Sequence, residues 1–225
     1  MRISVVTICT REKLHDHPRK LTRVDFAELS RRLWREDEIG HLRTPAGRFY
    51  TGLPQRRLGA GVGLARRAGV AVDLWVLSAG YGLIPESLPV VPYDCSFNGM
   101  SAQDLRAWST HLALPDTVPM FLEAPADLRL VLLTDPYLQA CQLSRDAPLG
   151  APTVFVVSRR HAHRLPAGAI PWILERADVG RFRTPAVALR QEVGAWTLAM
   201  LAAEGPSGLA RLLAAGAGWR GALAG

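Results

Sequence analysis

Two short stretches carry side chains able to do chemistry. LSAGYG (77–82) sets Ser78, Gly80, Tyr81 and Gly82 directly after an apolar run. VPYDCSF (91–97) follows with Tyr93, Asp94 and Ser96. The glycines let backbone turn sharply and approach a ligand closely. The Ser78 hydroxyl and the freed amides suit an anion, and Tyr81 adds a flat ring and a hydroxyl. Asp94, after an aromatic at a crevice mouth, suits activation of water or stabilisation of developing positive charge. TDPY (134–137) offers a second carboxylate, Asp135, and a further ring, Tyr137. Each feature has a plain structural reading too. Ser78–Gly82 can be a tight turn with Tyr81 packed on the core, Asp94 an Asx-turn, and Asp135 a helix cap ahead of Pro136. The stretch is neither a phosphate-binding Gly-x-x-x-x-Gly-Lys loop nor a Gly-x-Ser-x-Gly nucleophile elbow.

Basic residues lie near these stretches in clusters. SRRHAHR (158–164) carries Arg159, Arg160 and Arg164, PQRRL carries Arg56 and Arg57, and RFRTP carries Arg181 and Arg183. On one face they would form a phosphate track, with Tyr81, Tyr93 and Tyr137 as stacking platforms. The formal net charge of +7 favours a polyanionic partner. Lys13 and Lys20 are the only lysines, so arginine supplies nearly all the basic charge. Arginine is the better bidentate phosphate ligand. His15, His17, His161 and His163 are paired, but the three cysteines, Cys9, Cys95 and Cys141, are scattered. Without Cys-x-x-Cys no closed ligand set is expected, so neither metal nor cofactor is assigned. Spacing gives no support to a Ser158–His161–Asp94 triad.

The elements that must position these residues read as an α/β fold. RISVVTICT (2–10), VAVDLWVLS (70–78), DLRLVLLTD (127–135) and APTVFVVSRR (151–160) are apolar, strand-like runs. Helical spacing over 22–39 places Phe26, Leu29 and Leu33 on one side. Further helices are predicted over 56–69, 101–114 and 182–205. Alternating strands and helices imply a mainly parallel central sheet with helices on both faces. Its binding crevice would lie beyond the carboxyl ends of the strands, where CTREK, SAGYG, TDPY and SRRHAH emerge. One α/β domain over 1–205 is expected, then a short C-terminal helix and tail over 206–225. At 225 residues and 48% hydrophobic content a sizeable core is expected. No apolar run is long enough for a membrane span. The N-terminus lacks a secretory layout, and the cysteine usage suits the cytoplasm.

CTREK, YTGLPQRRLGAGV and LSAGYGLIPESLPVVPYDCSF together resemble a bacterial family of uncharacterised domains. That family is similar to YaaA-type nucleic-acid-binding proteins and, more distantly, to uracil-DNA-glycosylase-like folds. The likeness covers residues 2–100, with the remainder similar in architecture only. It implies a uracil-DNA-glycosylase-like layered fold. Some relatives occur with deazaguanine DNA modification or phage defence, and one similar protein excises glucosylated hydroxymethylcytosine from phage DNA. The chain departs from uracil-DNA glycosylases in lacking Gly-Gln-Asp-Pro-Tyr-His and the His-Pro-Ser loop. Thr134-Asp135-Pro136-Tyr137 is the nearest match. The expectation is therefore a DNA glycosylase acting on modified, phage-type DNA and leaving an abasic site. Asp94, Ser78 and Tyr81 would be catalytic. Gly80, Tyr93, Asp135 and Tyr137 would hold the flipped base. Arg56, Arg57, Arg159, Arg160 and Arg183 would hold phosphates. Whether Asp94 or Asp135 is the working carboxylate stays open. The alternatives are a non-catalytic YaaA-like DNA-binding module and an enzyme acting on a small nucleotide.

Overall fold

A computed structural model describes residues 1–223. Strand β1 (Arg2–Ile8) is a β-branched run buried on both sides. The chain then makes an excursion through β2 (Leu21–Thr22), α1 (Arg23–Ala27), α2 (Leu29–Glu38), β3 (Thr44–Pro45) and α3 (Ala46–Phe49). Helix α4 (Leu53–Arg67), with Pro54 in its first turn, leads into β4 (Ala71–Ser78). Strand β5 (Gly82–Pro85) turns back against β4. Two short strands follow. β6 (Pro89–Val90) pairs with β3, and β7 (Tyr93–Asp94) pairs with β2, pinning the excursion to the body. Helices α5 (Ala102–His111) and α6 (Leu114–Glu123) return the chain to β8 (Leu128–Leu132). Then come α7 (Asp135–Ala140), β9 (Thr153–Ser158), a tight turn over Arg159–Arg164 and β10 (Ile170–Leu174). Helices α8 (Arg176–Arg181), α9 (Leu189–Ala215) and α10 (Trp219–Ala222) close the chain.

The six-stranded sheet has the order β10-β9-β8-β1-β4-β5, and only β5 runs antiparallel. Alternate residues feed two cores, because successive strand side chains point to opposite faces. Val5, Leu74, Leu130 and Val156 join Leu58 and Val62 of α4 and Val193, Leu198 and Leu201 of α9. Val6, Val76, Val131 and Phe155 join Phe26, Trp108, Phe121 and Tyr137 on the other face. The expected α/β architecture with a mainly parallel sheet is therefore present.

Several elements differ from expectation. The helix predicted over 22–39 breaks at Glu28, whose backbone is extended (φ −128°, ψ 119°). Phe26 goes into the core, while Leu29, Leu33 and Trp34 stay exposed. The predicted strand over 151–160 stops at Ser158, so Arg159 and Arg160 sit on a tight turn. The helix predicted from 182 starts at Leu189, and α9 is broken at Gly205 (φ 58°) before Pro206. Beyond that break the chain is packed, not frayed. Trp219 is fully buried and stacks on Trp172, with ring centroids 5.1 Å apart. The last two residues of the expected tail, 224–225, lie outside the described residues. No described helix is long and apolar enough to cross a membrane.

Candidate functional site

The chain builds outward from β1 to β4, then returns to β8 on the other side of β1. That reversal makes the carboxyl ends of β1 and β8 the topological switch point, where α/β sheets bind ligands. Gln191 of α9 ties these two strands together. Its amide donates to the Thr7 hydroxyl (3.2 Å) and to the Leu132 carbonyl (2.9 Å).

One polar centre lies where β1 and β4 end. Ser78 Oγ and Tyr93 OH are 2.8 Å apart, and Tyr93 OH and Tyr50 OH are 2.8 Å apart. Ser78 Oγ also accepts from the amides of Gly80 (3.2 Å) and Tyr81 (3.0 Å). Cys9 Sγ lies 3.0 Å from Tyr137 OH. The two halves of the 76–97 stretch thus fold back and meet. They meet as interior: Ser78, Tyr93, Tyr50, Cys9 and Tyr137 are all buried. Burial pushes the phenols of Tyr50, Tyr81, Tyr93 and Tyr137 above the ordinary tyrosine value. Burial likewise pushes the Cys95 thiol up to about 12. At neutral pH these groups are uncharged hydrogen-bonding partners, not nucleophiles.

This corrects several expected roles. Gly80 is small because the Phe26 ring crowds it; a Cβ there would sit 2.7 Å from Phe26 Cε2. Tyr81 meets Phe26 and Tyr93 edge to face, at 4.9 and 5.4 Å, with the Arg32 guanidinium 4.8 Å from its ring centre. Its hydroxyl accepts from the Val91 amide at 3.3 Å. Tyr93 and Tyr137 are more enclosed than the partly buried Tyr81, the latter of the two against Phe97 at 4.9 Å. None of the three rings offers a free stacking face. Asp94 turns away from Ser78, because neighbouring strand residues face opposite ways and Tyr93 takes the inward side. Its side chain is 71% exposed, 4.0 Å from Lys20 Nζ.

A second centre forms on Asp135, at the start of α7. Arg160 donates to Oδ2 through Nε (2.9 Å) and Nη2 (2.7 Å), and Arg190 donates to Oδ1 at 3.0 Å. Ser158 Oγ donates to the same carboxylate at 3.2 Å. His161 approaches both Ser158 Oγ (3.2 Å) and Asp135 (3.5 Å) through the same nitrogen, Nδ1. A triad needs the imidazole between nucleophile and acid, so this is not one. Asp135 anchors arginines, and a base-contacting role for it is not supported by this geometry.

The exposed rim beyond the strand ends is basic. Arg11 and Lys13 leave β1, and Arg56 and Arg57 stand in the first turns of α4. Arg57 lies 3.4 Å from Glu192, and Arg159 lies 3.4 Å from Glu175. Arg183, also exposed, holds a left-handed backbone (φ 46°) between α8 and α9. Lys13 is half-buried, its ammonium 4.6 Å from the Tyr93 ring centre. Burial lowers its pKa, against the opposing pull of Cys9, Asp94 and Cys95. Sequence reasoning missed Lys13, Tyr50, Arg190 and Gln191 as members of these centres. Only Lys13 had a signal, its place in the polar segment leaving β1. Among the described residues no three His, Cys, Asp or Glu side chains gather as a metal site. No family model, curated protein or solved structure matches the chain.

Proposed function

We propose that the protein grips DNA along the carboxyl-end rim of its sheet and excises a modified base there, leaving an abasic site. The observation that carries this reading is the basic rim: Arg11, Lys13, Arg56, Arg57, Arg159 and Arg160 stand at one end of the sheet. Such a rim suits a phosphate backbone, whose contacts fix position before any base is read. A mainly parallel sheet with helices on both faces supports this reading as a scaffold, and the motifs suggest a uracil-DNA-glycosylase-like layering.

Asp94 is the carboxylate open to a substrate, whereas Asp135 is neutralised by Arg160 and Arg190. In the proposed step the target nucleotide leaves the stack. The C1′–N bond breaks, and its electron pair leaves with the base, which takes up a proton. Asp94 stabilises the oxocarbenium-like sugar and orients the water that bonds to C1′, and that water releases one proton to solvent, balancing the one the base takes up. Ser78 and Tyr93 act one layer below, bracing the strand that carries Asp94. Incubation with phage DNA carrying hypermodified cytosine should produce alkali-labile breaks. Breaks no more frequent than with Asp94→Ala would refute excision.

A second reading, DNA binding without catalysis, is favoured by the enclosure of Ser78, Tyr81 and Tyr93. It expects DNA affinity that falls steeply with salt and is indifferent to Asp94→Ala.

A further inference from the structure

A pocket of about 340 Å³ opens between α5, α7 and the Arg159–Arg164 turn. It lies within the size range of about 300–1,000 Å³ usual for small-molecule sites. Leu105, Leu138 and Leu143 give it an apolar wall, and Gln139, Gln142, Arg106 and Arg164 stand around its polar side. Arg106 and Arg164 form no ion pair among the described residues. Unlike the rim arginines Arg57, Arg159 and Arg160, they have no carboxylate within 4.0 Å among the described residues.

The inner end of the pocket is wired to the rim. Gln139 Nε2 lies 3.0 Å from His161 Nε2, and His161 Nδ1 lies 3.2 Å from Ser158 Oγ. An amide N–H donating to Nε2 puts the imidazole proton on Nδ1, where it donates to Ser158. Ser158 then donates to Asp135, which Arg160 and Arg190 hold. This chain fixes the Gln139 amide and leaves its Oε1 as an acceptor at the pocket. Gln142 holds a left-handed backbone (φ 48°), the kind of strained position that gathers at ligand sites.

We propose that this pocket binds one nucleoside monophosphate unit. The phosphate pairs with Arg106 and Arg164, whose guanidiniums match its oxygens bidentately. The base lies on the leucine wall, and the Gln139 and Gln142 amides bond its polar edge. The unit could be a free nucleotide or a nucleotide swung out of DNA; the recognition chemistry is the same. The inference goes beyond the rim reading, because a free nucleotide can bind here even if no base is excised.

The test titrates the intact chain calorimetrically with dCMP, dAMP, deoxycytidine and inorganic phosphate. A second arm uses duplex DNA with one 2-aminopurine, whose fluorescence rises on unstacking. Two variants block the site without touching the buried core: Arg106→Ala with Arg164→Ala, and Ala102→Trp at the exposed mouth. Circular dichroism checks their fold. Expected is binding of a monophosphate, or a 2-aminopurine signal, that weakens at least about tenfold in both variants. A response to nucleotide alone identifies a free ligand, and a response to DNA alone identifies an extruded one; either supports the site. The proposal is overturned if neither arm responds, if inorganic phosphate binds as well as dCMP, or if the variants bind unchanged.

Discussion

At the scale of the residue, Ser78 shows how a catalytic-looking side chain becomes a structural one. Its hydroxyl accepts from two backbone amides and meets Tyr93 OH, with no water access. Leaving buried donors unpaired costs about 1–3 kcal/mol each. Ser78→Ala should therefore destabilise by about 2–6 kcal/mol, read as a lower urea midpoint with an unchanged slope. Asp94→Ala, at a largely exposed side chain, should leave that midpoint within about 0.5 kcal/mol. His161 gives a pH dependence. Burial lowers its pKa, with Asp135 pulling the other way. The unfolded chain then takes up the proton first, so stability falls as pH drops below about 6.5. His161→Gln should flatten that slope in denaturation curves across the interval. What was legible here was position: LSAGYG reads as the segment leaving an apolar run, and Ser78 is the last residue of β4. What was not legible was facing. A two-residue strand such as β7 gives no alternation pattern, so which of Tyr93 and Asp94 turns inward was decided by Phe26, Phe49 and Tyr50, all distant in sequence.

At the scale of the element, the pairing of α4 with α9 depends on missing side chains. A Cβ on Gly61 would sit 2.6 Å from Ala195 Cα, and one on Gly194 would sit 2.5 Å from Leu132 Cδ1. Gly59, on the exposed side of the same helix α4, would meet nothing within 4 Å. Gly61 and Gly59 make opposite predictions. Gly61→Ala forces the helices apart and should cost about 1–3 kcal/mol. Gly59→Ala gains helix propensity and should stabilise by about 0.5–1 kcal/mol. Parallel denaturation of both variants checks the pair; a stabilised Gly61→Ala would contradict the close approach. In the sequence Gly59 and Gly61 stand two residues apart in the same predicted helix, 56–69, with nothing to tell them apart. The strands β1, β4, β8 and β9 were readable because they are nearly continuous apolar runs. The edge strands β5 and β10 were not, since β5 is short and β10 carries Pro171.

At the scale of the molecule, the C-terminal segment completes a core and is no appendage. Leu212, Trp219, Ala222 and Leu223 are buried with Trp172, Phe182 and the sheet residues Val154 and Val156. Trp219→Ala should cost about 3–5 kcal/mol. At about 2–4 °C per kcal/mol for a chain of this size, that is a drop of roughly 6–20 °C in Tm. Removal of residues 206–225 should abolish the cooperative transition, as followed by near-UV dichroism; an unchanged melt would show the segment to be dispensable. Sequence reading expects a short helix and tail over 206–225; what it misses is the packing, because the Gly- and Ala-rich composition resembles a loose end although Trp219 is fully buried.

The sheet order has a consequence for how the chain is made. Strand β1 is synthesised first yet lies in the middle, between β4 and β8. From Ile8 to Leu128 the ribosome must add 120 residues before the second partner exists. At about 5–20 residues per second, that is roughly 6–24 s during which one edge of this buried strand has no mate. The β4–β5 hairpin can shelter the other edge early. The newborn amino-terminal half is therefore a natural client for a chaperone, and slowing translation ahead of β8 should lower the soluble yield.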